Sequence, residues 1–127
     1  MAEGLAQKWL DNHGCAGWLA VSAGVCTVEG MPTSRETVES LAQHDISFNG
    51  RSTPLTKKMA EGAQLVLCMS KTHLSIVNQH TSHAELLNPK GDIDDPIGQG
   101  QSEYDALALQ MEPLIAQRLA LLTHEGV

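Results

Sequence analysis

Two features of this chain predict an α/β fold: a small three-layer arrangement with a parallel sheet and helices on both faces. Segments with helical spacing alternate with short apolar segments, in the order helix, strand, helix, helix, strand, helix, strand, helix. The most apolar run, Leu65-Val66-Leu67-Cys68-Met69, is continuous rather than alternating, as in a strand covered on both sides. Aromatic residues make up only 3% of the chain against 42% hydrophobic, so the core is built from Leu, Val, Ile, Met and Ala. At 127 residues the chain is one domain's worth. A domain of this size buries roughly two thirds of its unfolded surface, enough for one core.

The spacing of Leu5, Trp9 and Leu10 predicts a helix over residues 1–13, filled out by the helix formers Ala2, Ala6, Gln7 and Lys8. Gly14 supplies a left-handed cap. This helix has no Ser, Thr, Asp or Asn cap and no strand before it. Trp18 to Ala23 is short and apolar and reads as a strand, ended by Gly24. A loop over Val25 to Met31 leads to a helix opening at Pro32 or Thr33 and reaching about Gln43, with Val38, Leu41 and Ala42 as its apolar stripe. His44 to Thr53 is irregular, with Ile46 and Phe48 turned inward. Pro54 to Gly62 reads as a short helix on Leu55, Met59 and Ala60. After the apolar strand, Ser70 caps a helix from Lys71 to His80. Ala84 to Leu87 is a weak strand closed by Asn88-Pro89. Ser102 caps the last helix, whose first turn carries Glu103 and Asp105 to suit the dipole. Its apolar face runs from Tyr104 through Met111 and Ile115 to Leu122, with a kink expected at Pro113. The order is one strand short at the front.

One loop stands apart. Gly91-Asp92-Ile93-Asp94-Asp95-Pro96-Ile97-Gly98 holds three carboxylates ahead of a proline. Pro96 removes a donor and pushes Asp95 toward an extended conformation, so Asp95 sits in a stiff surface frame. A rigid acidic loop on an α/β scaffold is a place for a general acid; on these residues alone it reads as a turn. Asp92 and Asp94 read as solvated neighbours. The other chemistry-bearing residues read as structural. His73, His80 and His83 lack a carboxylate or cysteine to complete a ligand set, so no metal site and no cofactor is expected. Cys68 lies in the most apolar strand and reads as an inert core thiol, and Trp9 and Trp18 read as packing residues.

Bulk properties exclude some classes. Lys plus Arg is 8 against 15 for Asp plus Glu, a net charge of −7, which disfavours nucleic-acid and anionic-membrane partners. No apolar run reaches the length of a membrane span, and the start has no signal-peptide pattern. Cys15, Cys26 and Cys68 are odd in number and widely spaced, which points to a reducing, cytoplasmic setting rather than a disulfide framework.

Four stretches in order resemble the low-molecular-weight protein tyrosine phosphatase family, including its bacterial arginine-phosphatase relatives. Met1-Ala2-Glu3-Gly4-Leu5 is similar to the Met-Ala-Glu helix start that follows the family's phosphate loop. Val21-Ser22-Ala23-Gly24-Val25 is similar to its Ser-Ala-Gly strand end. Leu55-Thr56 and then Ala63 to Ser70 resemble its third-strand segment, where Asp is more usual than Gln64. Asp95-Pro96 with the glycines after it, and then Tyr104, resemble its acid loop and last helix. The resemblance covers nearly the whole chain as a single domain, residues 1–127. It implies phosphomonoester hydrolysis through a Cys-phosphate intermediate: a thiolate attacks phosphorus, loop amides and an Arg hold the phosphoryl oxygens, and an Asp before Pro protonates the leaving group and then activates water. By position it implies Asp95 as the general acid and base, and Ser22 as a support for the phosphate loop. It also implies a phosphoprotein or phosphomonoester substrate.

The family's Cys-x5-Arg phosphate loop has no counterpart here. The residue six after Cys15 is Val21, after Cys26 is Pro32 and after Cys68 is Leu74. The resemblance therefore implies a fold without the family's first, central strand, and a chain N-terminally truncated relative to the family. Its activity is expected to be absent as written. An incorrect start in a full enzyme, a non-catalytic binding or oligomerising module, and an unrelated α/β domain all remain open at this point. The missing strand also predicts that Trp18–Ala23 pairs directly with Leu65–Met69, or that another chain fills the gap, giving a homo-oligomer through exposed strand edges. Ile97 stands where the family often has an aromatic wall residue, so phosphotyrosine gains no preference over phosphoarginine.

Overall fold

In the computed structural model, residues 1–25 and 27–124 are described. β1 (Val66–Cys68) and β2 (Ala84–Leu86) run parallel, with Val66 opposite Ala84 and Cys68 opposite Leu86. Among the described residues, five helices surround them: α1 (Ala2–Asn12), α2 (Arg35–Ala42), α3 (Lys57–Gly62), α4 (Lys71–Val77) and α5 (Gln101–His124). The continuous apolar character of β1 explains the layering. Val66 and Cys68 pack with Ala60 of α3 and with Leu74 and Val77 of α4. Leu67, pointing the other way, packs with Leu5 and Leu10 of α1 and with Met111, Ile115 and Leu119 of α5. Helices thus cover both faces, as predicted, and α1 and α2 both lie against α5. Trp9 and Trp18 are half-buried at the edge of this core.

Helix starts follow hydroxyl caps rather than prolines. Ser34 Oγ accepts the Thr37 amide, Thr56 Oγ1 the Met59 amide and Ser70 Oγ the His73 amide. So α2 and α3 begin after Ser34 and Thr56, later than the expected Pro32 or Thr33 and Pro54. An accepted amide stabilises a first turn that proline merely tolerates. α4 ends at Val77, short of His80, in a turn where the His80 amide donates to the Val77 carbonyl at 2.9 Å. α5 begins at Gln101, and Ser102 is inside it, donating to Glu103 rather than capping. α5 also runs through the exposed Pro113 without interruption. Gly14 closes α1 with φ of 67°, as predicted. Within α1, a Cβ on Gly4 would lie 2.9 Å from Leu41 Cδ1 and 3.3 Å from Phe48 Cδ1, so glycine allows the close approach of α1 to this wall.

Two expectations are corrected. Trp18–Ala23 is not a strand, and it does not pair with β1. A strand exists only as one of a pair, and α1 side chains take the partner's place here. The Ala20 amide donates to Gln7 Oε1 at 2.9 Å, and Ser22 Oγ donates to Glu3 Oε1 at 2.8 Å. Glu3 and Gln7 are four apart, so one face of α1 holds the segment. Apolar side chains are left outside: Leu19 is 78% and Val21 65% exposed. Among the described residues, β1 pairs with β2 alone. Among the described residues, no helix is long and apolar enough to cross a membrane.

Candidate functional site

In a parallel sheet, the loops leaving the carboxyl ends of the strands gather at one edge, where α/β folds place their ligands. Two such loops meet here. Met69-Ser70 leaves β1 and enters α4. The other leaves β2 through the buried Leu87 and a turn in which the Gly91 amide donates to the Asn88 carbonyl at 3.1 Å. It then passes along the first loop. Asp92 Oδ1 accepts the Lys71 amide at 2.9 Å, and the Ile93 amide donates to the Met69 carbonyl at 2.8 Å. The Ile93 side chain is 6% exposed and joins the core cluster that contains Leu87.

From this base the chain rises to Asp94 and Asp95, both exposed, and drops again at the buried Pro96. Asp95 Oδ1 accepts the Ile97 amide at 3.0 Å, the turn that a short side-chain carboxylate makes with the backbone two residues on. The Gln99 amide closes back onto the Pro96 carbonyl at 2.9 Å, and Gly98 takes φ of 80°, a conformation that favours glycine. Ile97 is 76% exposed beside the carboxylate. The frame that proline and glycine predict for Asp95 is present. The arrangement offers a solvent-facing carboxyl group with one oxygen fixed and a rigid backbone behind it. Such a group can deliver a proton to a leaving group placed over the loop, or take one from water.

Ser22 is held by Glu3 at the start of α1, whose Oε1 accepts its hydroxyl. Among the described residues no hydrogen bond joins it to the 91–98 loop. Cys68 is buried, and that burial pushes its thiol up from the ordinary range, away from nucleophilic use. Cys15 is half-buried, and Cys26 lies outside the described residues. No group of three metal-ligating side chains gathers among the described residues.

Two features of the site's support had no clear signal in the sequence. One is Asp92, bound to an amide of α4. The other is a polar knot between α2 and α5. Ser40, 1% exposed, donates to Asp105 Oδ1 at 2.6 Å. Gln101 Nε2 donates to the same oxygen, to Ser40 Oγ and to the Glu36 carbonyl, each at 2.9 Å. The hydrogen bond from Ser40, then that from Gln101, hold the Asp105 carboxyl below the usual aspartate range. The knot fixes the start of α5, and so the exit of the loop that carries Asp95.

The family model described as low molecular weight phosphotyrosine protein phosphatase matches residues 1–126. Among curated proteins, the chain is 30% identical over 129 residues to the protein-arginine-phosphatase of Bacillus subtilis (strain 168), covering 92% of this chain and 83% of that one. The solved structure of a YwlE arginine phosphatase mutant with a phosphorylated active-site serine superposes with a TM-score of 0.86 at 28% identity. It covers 96% of this chain and 86% of its own. A protein tyrosine phosphatase from Entamoeba histolytica superposes with a TM-score of 0.87 over 99% of this chain and 89% of its own. At 14% identity it speaks for the fold alone.

Proposed function

The chain belongs to the low molecular weight phosphotyrosine protein phosphatase family, and on that premise we propose that residues 1–127, as one domain, carry the acid half of a phosphate-hydrolysing site, with Asp95 as general acid and base. The observation that carries the reading is the loop of Asp95: an exposed carboxylate, pinned by the Ile97 amide, on a base anchored by Ile93 at the carboxyl edge of the sheet. In the reaction a thiolate attacks phosphorus. As the S–P bond forms, the bond to the leaving oxygen or nitrogen breaks, and Asp95 supplies its proton. Water then attacks the phosphoenzyme, Asp95 takes the water proton, and the thiolate and free phosphate are released. The phosphorylated active-site serine of the YwlE mutant supports the covalent half of this scheme in that relative.

The nucleophile has to come from residues other than those of this sequence. None of its cysteines has an arginine six positions on, and burial of Cys68 disfavours its thiolate. The 127-residue polypeptide is therefore inactive by itself in this reading, and Ser22 serves as support for the anion-binding loop once that loop is present. Likeness to the arginine phosphatase supports a phosphorylated protein side chain as substrate, phosphoarginine included. A second reading, a non-catalytic binding or oligomerising module, is favoured by the apolar Leu19 and Val21, exposed on a segment outside the sheet.

The test joins the first strand and Cys-x5-Arg segment of the Bacillus arginine phosphatase ahead of Met1. Hydrolysis of phosphoarginine and of p-nitrophenyl phosphate is then measured with and without Asp95→Asn. The reading requires activity that drops by about 10²–10⁴-fold in the variant. A folded, active chimaera indifferent to Asp95 would refute it. A folded but silent one would favour the module.

A further inference from the structure

We infer that Asp92 is a positioning residue for Asp95: it holds the acid loop to the start of α4 so that the carboxylate three residues on keeps one orientation. The inference rests on the reading of Asp95 as the acid. The loop is attached to the body of the fold at adjacent residues but to different elements. Ile93 fixes it to the core and, through its amide, to the Met69 carbonyl at 2.8 Å. A loop fixed at one point can still turn about that point. Asp92 supplies a second fixing, because its Oδ1 accepts the Lys71 amide at 2.9 Å. That amide lies in the first turn of α4, where no intrahelical carbonyl is available to it. A charged acceptor makes a bond roughly twice as strong as a neutral one. The two fixings together remove the rotation that would swing Asp95.

At the tip, the bond from the Ile97 amide to Asp95 Oδ1, 3.0 Å, reports the orientation of the carboxylate. Pro96 between them is buried, so the tip cannot readily reorganise without disturbing the base. Asp94 also lies in this loop, but among the described residues its side chain makes no hydrogen bond. The loop therefore contains one carboxylate that positions, one that is presented and one that serves as an internal control.

Amide hydrogen exchange of the full 127-residue chain, followed by NMR, tests the coupling without any need for turnover. In Asp92→Ala the Lys71 amide is expected to exchange about tenfold faster, the loss of one hydrogen bond to a charged group. The inference requires the Ile97 amide to accelerate with it, by about threefold or more. Asp92→Asn, whose side-chain carbonyl still accepts, restores both rates toward wild type, and Asp94→Ala changes neither. A Lys71 amide released while the Ile97 amide stays unchanged would overturn the inference and leave Asp92 as a helix cap only. That result would not touch the assignment of Asp95, which is decided by hydrolysis in the chimaera.

Discussion

The loop that carries Asp95 contains two isoleucines, four residues apart, with opposite surroundings. Ile93 is 6% exposed against Leu87 and the α5 core, and Ile97 is 76% exposed. Truncating each to alanine separates the anchoring of the loop from its chemistry. Ile93→Ala removes buried methyl and methylene groups from a closely packed cluster, which costs about 2–5 kcal/mol. Against a domain stability of roughly 5–15 kcal/mol, this is a large fraction. Ile97→Ala removes a side chain already in water and is expected to change stability by no more than about 0.5 kcal/mol. The assay is urea unfolding of the chain. A loss of about 3 kcal/mol moves the midpoint down by roughly 1–2 M at an unchanged m-value. In a thermal scan it lowers Tm by about 10 °C. The reasoning fails if Ile93→Ala unfolds at the same urea concentration as Ile97→Ala. The loop of Asp95 would then have no anchor in the core.

Three further outcomes follow from the packing and the charges. The Asp105 carboxyl is held low in the folded chain, chiefly by Ser40, so its contribution to stability is complete above the ordinary aspartate pKa near 4. It is lost as pH falls through the lower folded value. Ser40→Ala should make the decline of the urea midpoint below about pH 4 shallower; an unchanged acid limb would refute the knot's role. Cys68 should resist alkylation in the folded chain and react only after unfolding, whereas the half-buried Cys15 reacts before Cys68. Mass spectrometry of the labelled peptides checks the order. Gly4→Ala gains about 1 kcal/mol of helix propensity but forces a methyl group against Leu41, which is 0% exposed, at 2.9 Å. Overpacking of this kind costs about 1–3 kcal/mol, so Tm should fall; a rise would show that Leu41 and Phe48 yield freely.

The sequence made the alternation of elements legible because β1 is apolar at every position and α5 carries a long apolar face. It made the frame of Asp95 legible because proline and glycine act locally. It was less informative wherever a partner decides the outcome. Trp18–Ala23 has strand composition, but a strand needs a neighbour, and Glu3 and Gln7 of α1 hold this segment instead. Asp92 and Asp94 are alike in sequence, and only the third dimension sets Asp92 against the Lys71 amide, 21 residues away. Likewise, the dipole argument placed Asp105 in the first turn of the last helix, but α5 begins at Gln101 and Asp105 lies past that turn, where Ser40, 65 residues earlier, donates to it.

The central claim is that these 127 residues hold the acid of the reaction and not its nucleophile. Hydrolysis of p-nitrophenyl phosphate by the 127-residue chain alone, beside its Asp95→Ala variant, tests it most directly. The account predicts no turnover by either protein above the uncatalysed rate. Turnover by the chain that disappears in Asp95→Ala would contradict it, and would mean that these residues contain a nucleophile of their own.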